Sequence, residues 1–312
     1  MEVWSGSQLA DHGAVFSGLE AWVYSRPYGQ ASRGGDVVYA SSCATGRITR
    51  LMVADVAGHG QTVAATAADL RLLMRRFVNC LDQSDLVRRL NQQFAALSAQ
   101  AVFATAIVAT YFAPTRRLVL CNAGHPRPLV YRADTREWHF LGGDDAPPAP
   151  GPRNLPLGIL DLADYDSSDI ELREGDCLLA YTDALIESQD ADGEMFGEDG
   201  VLRLLRLLGD VDPSRLIRTL LTEIEERYPD NLSHDDLTVL VARCTVQPLR
   251  FSLGERLGAL GRFCRTALGA WRPGAEAPPL PDLTLANVGG AIVPALARRW
   301  RSTAGDGAQD PD

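Results

Sequence analysis

Lysine is absent from the 312-residue chain, whose 30 basic residues are all arginine. So complete a substitution reads as genomic composition bias and says little about chemistry. Positive charge is also scarce: 40 Asp and Glu outweigh the arginines, for a net charge of -10 and a pI near 5.0. A general nucleic-acid binder needs clustered cations to meet the phosphate backbone, so that class is excluded. The chain has no uninterrupted apolar run of about 20 residues, the length a membrane-crossing helix requires. Its start, MEVWSGSQLADHG, has neither the cationic opening nor the apolar core of a secretory signal. A cytoplasmic protein is expected. Cys43, Cys80, Cys121, Cys177, Cys244 and Cys264 are scattered singly, without CxxC or CxxH spacing. That pattern excludes a disulfide framework and a thiolate zinc site, and leaves reduced cysteines packed among apolar residues.

What is present is ordinary for a globular chain: 46% apolar and 22% charged residues, with enough length for a large core. One large domain over 17–244 is expected, preceded by a short segment, 1–16, and followed by an appendage, 245–312. Residues 17–26, 35–41 and 47–55 read as strands. From Gly60 the period becomes helical through QTVAATAADLRLLMRRFVN, and a second helix over 84–98 aligns Leu86, Leu90, Phe94 and Leu97. VFATAIVATYFA, RRLVLCNAG and RPLVYRAD then read as an antiparallel meander. The Gly- and Pro-rich stretch 142–158 is a loop. SDIELREGDCLLAYTD gives two strands joined at Glu174-Gly175. Helices over 198–208 and 213–227 follow, with Pro213 suited to a first turn, and DDLTVLVAR closes the pattern as a last strand. Without strict βαβ alternation, the fold is expected to be α+β, with antiparallel sheets covered by helices. The appendage holds an amphipathic segment, 250–270, a Pro-rich linker and an Arg-containing end, ARRWR.

Against this background the acidic residues stand out. Asp36, Asp55, Asp183 and the Asp235-Asp236 pair each lie at the end of an apolar run. Carboxylates brought together from distant segments are hard oxygen ligands, suited to Mg²⁺ or Mn²⁺. Two such ions sharing one carboxylate would activate water without any side-chain nucleophile. VADVAGHG turns sharply and feeds a helix whose free N–H groups suit an anion. GGD at 34–36 lets the backbone approach the site without Cβ obstruction.

GGDVVY (34–39), VADVAGHG (53–60), FATAIVATY (103–111), NAGHPRPLVYR (122–132), LPLGI (155–159), YTDALIES (181–188), FGEDG (196–200) and DDLTVLVAR (235–243) stand in a telling order. Over about residues 17–243 the chain resembles the PPM-type metal-dependent protein phosphatases, and most closely the bacterial stage II sporulation (SpoIIE/RsbU-like) subgroup. The resemblance implies an αββα sandwich and hydrolysis of phosphoserine or phosphothreonine by a metal-bound hydroxide, with two Mn²⁺ or Mg²⁺ ions. It implies that Asp55 bridges the ions and that Asp36 and the main-chain carbonyl of Val56 complete one site. Asp183 and Asp235 are implied to hold the other ion, Asp236 being the alternative to Asp235. The implied partner is a phosphorylated protein, such as an anti-sigma-factor antagonist (anti-anti-sigma, STAS-type).

This chain departs from the family at Ala184, where TDG is usual, and around the first motif, where Val37 and Ala40 stand in place of an aromatic and an Asp. Two readings therefore follow: an active phosphatase, or a phosphatase-fold signalling adaptor with the Arg-containing tail as docking element. His59 is a candidate proton donor to the leaving oxygen, whereas His125 more simply anchors its loop. His12 and His139 have no motif context. Arg33 is a candidate phosphate grip or a solvated loop residue. The tail is a candidate membrane contact, or a helix packed on its own domain.

Overall fold

The computed structural model describes residues 2–29, 31–43, 46–58, 63–97, 102–142, 151–190, 192–228 and 230–246. Its strands are β1 (Glu2–Gly6), β2 (Ala10–Phe16), β3 (Leu19–Arg26), β4 (Val37–Ser42), β5 (Ile48–Val56), β6 (Ala104–Phe112), β7 (Arg117–Ala123), β8 (Leu129–Arg132), β9 (Glu137–Phe140), β10 (Ser167–Glu171), β11 (Cys177–Tyr181) and β12 (Leu237–Cys244). The helices are α1 (Ala64–Phe77), α2 (Gln83–Leu97), α3 (Gly197–Leu208) and α4 (Pro213–Glu225).

Two six-stranded antiparallel sheets result, ordered β1-β4-β5-β6-β7-β10 and β2-β3-β12-β11-β8-β9. Three apolar layers hold them. Tyr39, Met52, Ala54, Val108 and Cys121 of the first sheet pack on Leu70, Met74, Leu86, Leu90 and Phe94 of α1 and α2. Val38, Ala40, Leu51, Val53, Ile107 and Ala109 meet Ala21, Val23, Leu178, Ala180, Leu240 and Ala242 between the sheets. Leu179, Tyr181, Val239 and Val241 pack on Val201, Leu205, Leu216, Leu220 and Ile224 of α3 and α4. This is the αββα sandwich, and it explains the continuous apolar runs: every residue of β4 and β11 is buried because both faces are covered.

Departures from the sequence reading concern connectivity. The short segment before residue 17 supplies two strands, β1 edging one sheet beside β4 and β2 edging the other beside β3. The expected meander divides: β6 and β7 lie in the first sheet, and β8 and β9 in the second. The two strands expected on either side of Glu174-Gly175 form, but in different sheets, β10 pairing β7 while β11 pairs β8 and β12. Local pattern reports that a strand is half-buried or wholly buried, and cannot report which of two stacked sheets receives it. The start of α4 is as expected, with Pro213 in the first turn and the Asp212 side chain accepting the Ser214 N–H at 2.8 Å. Cys43, Cys80, Cys121, Cys177 and Cys244 are free thiols, all but Cys43 buried. Among the described residues no helix is long and apolar enough to cross a membrane. The expected helix within 250–270 and the ARRWR end lie outside the described residues.

Candidate functional site

Side-chain parity brings the predicted aspartates together. Along β5, Met52, Ala54 and Val56 face the helices while Leu51 and Val53 face the gap between the sheets. Asp55, the penultimate residue of β5, shares the parity of the latter pair and so lies toward the mouth of that gap. Asp36, just before β4, continues the parity of Val38 and Ala40. On the other sheet, Thr182 and Asp236 continue the inward parity of Ala180 and Leu240. Asp183 starts a 3-10 turn over Asp183–Leu185 directly after β11, and Asp235 precedes β12.

Asp36 is only 3% exposed. Its Oδ2 accepts the Thr182 hydroxyl at 2.9 Å, and the Thr182 hydroxyl in turn accepts the Thr238 N–H at 2.9 Å. The Ser25 and Thr238 hydroxyls are paired at 2.9 Å, completing a polar floor. These hydroxyl residues were not singled out from the sequence. Thr182 and Thr238 were signalled only by position, one residue before Asp183 and two after Asp236, and Ser25 by nothing.

The electrostatics describe a cluster of acidic groups whose charged forms are disfavoured. Burial, then the charge of Asp55, holds the Asp36 carboxyl well above the usual carboxylate range, while hydrogen bonds from Thr238 and Thr182 act the other way. Burial pushes Asp55 up to about 8, helped by Asp183, Asp235, Asp236 and Glu187. Burial pushes Asp183 up to about 6, helped by Glu187 and Asp235. Glu187, one helical turn beyond Asp183, is thus a fifth acidic neighbour that the sequence reading passed over.

The two glycines before Asp36 are needed sterically. A Cβ on Gly34 would fall within the Asp236 carboxylate, and one on Gly35 would lie 2.8 Å from the Val56 carbonyl oxygen. Gly35 therefore seats that carbonyl against the Asp36 loop. Asp236 is 1% exposed, with Oδ1 accepting the Tyr28 N–H at 2.5 Å and Oδ2 the Gly35 N–H at 2.6 Å.

Other motifs serve as scaffold. His125 is buried, its Nδ1 2.7 Å from the Thr105 hydroxyl, and burial holds the imidazole down at about 3, hence neutral. Its main-chain N–H and C=O both bond the Asn122 side chain at 2.8 Å. This is the loop anchor expected of it. Glu198 of the FGEDG motif accepts the Arg127 N–H at 2.6 Å, joining α3 to the NAGHPR loop. Arg33 and His234 are exposed, and His59 lies outside the described residues.

Whether divalent cations suit this set is tested by its donors. All are hard oxygens, and Asp36 Oδ1 is buried without a hydrogen-bond partner, a vacant acceptor in an anionic setting. Among the described residues no three carboxylate, imidazole or thiol groups stand close enough to chelate as they are.

The model of the family described as stage II sporulation protein E (SpoIIE) matches residues 45–245, more than half of the chain. Among solved structures, the chain is similar to the RsbU and RsbW domains of Rv1364c from Mycobacterium tuberculosis, at 21% identity over 85% of this chain and 72% of that one, with a TM-score of 0.60. It is also similar to the PP2C phosphatase domain and regulatory fragment of SpoIIE from Bacillus subtilis, at 17% identity over 74% of this chain and 64% of that one, with a TM-score of 0.59. A third likeness is to the catalytic domain of the serine threonine protein phosphatase PstP in complex with two manganese ions, at 17% identity over 73% and 98%, with a TM-score of 0.51. At these identities the structural likeness establishes the sandwich alone.

Proposed function

The chain belongs to the SpoIIE family, and on that premise we propose that it is a metal-dependent serine/threonine phosphoprotein phosphatase using two Mn²⁺ or Mg²⁺ ions. The observation that carries the reading is the convergence of Asp36, Asp55, Asp183 and Asp235 at one mouth of the sandwich, where Asp55 feels the charges of Asp183 and Asp235. Asp55 would be shared between the cations, Asp36 and the Val56 carbonyl would serve one, and Asp183 and Asp235 the other. Asp235 is preferred to Asp236 because both oxygens of Asp236 already accept main-chain N–H groups. Bound there, the cations would supply Lewis acidity that activates water and screens the phosphate.

The remaining residues orient and exclude. Thr182 holds Asp36 by one oxygen and leaves the other for a cation. The inter-sheet apolar layer beneath keeps bulk water from the inner side of the carboxylates. His125, neutral and pinned to Thr105, is no proton donor to the leaving serine oxygen. The altered motif positions do not favour an adaptor: Ala184 sits inside a 3-10 turn at negative φ, where glycine is not required, and Val37 and Ala40 are core residues at 1% and 0% exposure.

The substrate is proposed to be a phosphorylated anti-sigma-factor antagonist, a reading supported by likeness to the RsbU and RsbW domains of Rv1364c. The test is Mn²⁺-dependent release of phosphate from a phosphoserine peptide and from such a protein. Wild type is expected to be active, and Asp55→Asn and Asp183→Asn at least about 100-fold slower. Equal inactivity of all three across Mn²⁺ concentrations would sink the proposal.

A further inference from the structure

We infer that Asp236 is a positioning residue, which fixes the Asp36 and Asp235 portions of the proposed cation site relative to one another across the two sheets. The inference rests on the phosphatase reading for its consequence, though not for its geometry.

Tyr28 lies just after β3 in one sheet, and Gly35 just before Asp36 and β4 in the other. Both ends of this sheet-to-sheet connection are therefore tied to one carboxylate, through the Tyr28 N–H at 2.5 Å and the Gly35 N–H at 2.6 Å. The Asp236 N–H donates to Asp235 Oδ1 at 2.7 Å, so the same residue also orients the neighbouring candidate ligand. Packing reinforces the arrangement, because Gly34 lies so close to the carboxylate that no Cβ fits between them. On its other side the Gly34 N–H donates to the Ser7 carbonyl at 2.8 Å, in the turn between β1 and β2. A carboxylate accepting two main-chain N–H groups forms charge-assisted bonds, stronger than neutral ones. An asparagine of the same shape accepts at one oxygen and turns an NH₂ against the other N–H. It should break one tie while filling the same space.

The test uses the full chain, with Asp236→Asn, Asp236→Ala, Gly34→Ala and Asp235→Asn beside wild type. Amide exchange in cation-free protein reads the geometry: the Tyr28 and Gly35 amides should exchange faster in D236A, less so in D236N, and as in wild type in D235N. Mn²⁺ titration by calorimetry, with para-nitrophenyl phosphate turnover, reads the consequence. D236N and G34A should keep wild-type stoichiometry, raise the Mn²⁺ concentration for half-activation about 10–100-fold, and regain most turnover at saturating Mn²⁺. D235N should lose one bound Mn²⁺ and regain nothing. A merely structural role would lower the melting temperature without moving the half-activation concentration. Unchanged exchange in D236A, or loss of one Mn²⁺ from D236N, would overturn the inference. Should wild type bind no Mn²⁺ and hydrolyse no phosphoester, the phosphatase reading falls, and the exchange experiment still decides whether Asp236 ties the two segments.

Discussion

Asp55 and Thr105 are register partners across the pairing of β5 with β6, and the Thr105 hydroxyl lies 2.7 Å from Nδ1 of the buried His125. The strand end that presents the proposed shared carboxylate is thus braced from behind by a neutral imidazole. With its value held at about 3 by burial, His125 stays uncharged in the folded protein while an unfolded histidine takes up a proton near pH 6.5. Its contribution to stability is therefore complete above about 6.5 and is lost as the pH falls toward 3. Replacing it with asparagine should cost about 1–3 kcal/mol in chemical denaturation, and should leave the shape of the phosphatase pH profile between 6 and 9 unchanged. A lost limb in that profile would instead make His125 a proton donor.

Asp55 works in the opposite direction. Its folded value, about 8, lies above that of an unfolded aspartate, so the cation-free protein loses stability as the pH rises from about 4 to 8. Asp183, at about 6, adds to the same slope over a narrower range. Asp55→Asn should make the cation-free protein melt higher than wild type at pH 8 and equally at pH 4. The same substitution should abolish the rise in melting temperature that Mn²⁺ confers on wild type. A variant no more stable than wild type at pH 8 would contradict the cost of burying the Asp55 charge beside its acidic neighbours.

Ala184 occupies the turn position after Asp183, 6% exposed and at negative φ. Glycine there would gain no needed conformation and would add backbone freedom to the unfolded chain. Ala184→Gly should lower stability by roughly 0.5–1 kcal/mol and leave turnover at saturating Mn²⁺ within about twofold. A large gain in activity would show that alanine impairs the site.

Among the described residues Arg50 is the largest fully buried side chain, 2% exposed near the start of β5. Its guanidinium donates to the Gln83 side chain at 3.1 Å, to the Thr110 hydroxyl and to the Cys80 carbonyl, and so ties the α1–α2 connection to the first sheet. Burial lowers its value to about 10, which leaves it charged at neutral pH. Arg50→Met strands those acceptors and should cost about 2–5 kcal/mol. Because Asp55 stands at the far end of the same strand, Mn²⁺ affinity of the folded fraction should not change, which calorimetry below the melting transition can check.

Much of this architecture was legible because its strands are covered on both faces. RITRLMVAD and GDCLLAYTD announced β5 and β11 by unbroken apolar runs, and each stopped at an aspartate that burial cannot explain. β1 and β2 were missed because edge strands carry little of that signal. Within β2 only Phe16 is buried, and Asp11, His12 and Gly13 are exposed. Asp36 and Asp55 were readable as a pair with Asp183 and Asp235 from motif order. The polar floor of Ser25, Thr182 and Thr238, and the bonds that occupy Asp236, depend on which strands lie side by side, and no local pattern encodes that. Glu187 was missed for a similar reason: an acidic residue beyond a strand reads as solvated until the turn folds it back toward Asp183.

The strand order has a consequence for how the molecule is made. Leu19–Arg26 is paired in register with Leu237–Cys244, so the strand that joins the β2–β3 hairpin to β11 and β8 leaves the ribosome after every other described strand. Until then the second sheet exists as two fragments, with the backbone of β3 and β11 open to strangers along their facing edges. Chains interrupted before residue 235 would be both sticky and inert, since Asp235 and Asp236 arrive with that same strand. Closure of the second sheet and completion of the proposed cation site would thus come in one late event of synthesis.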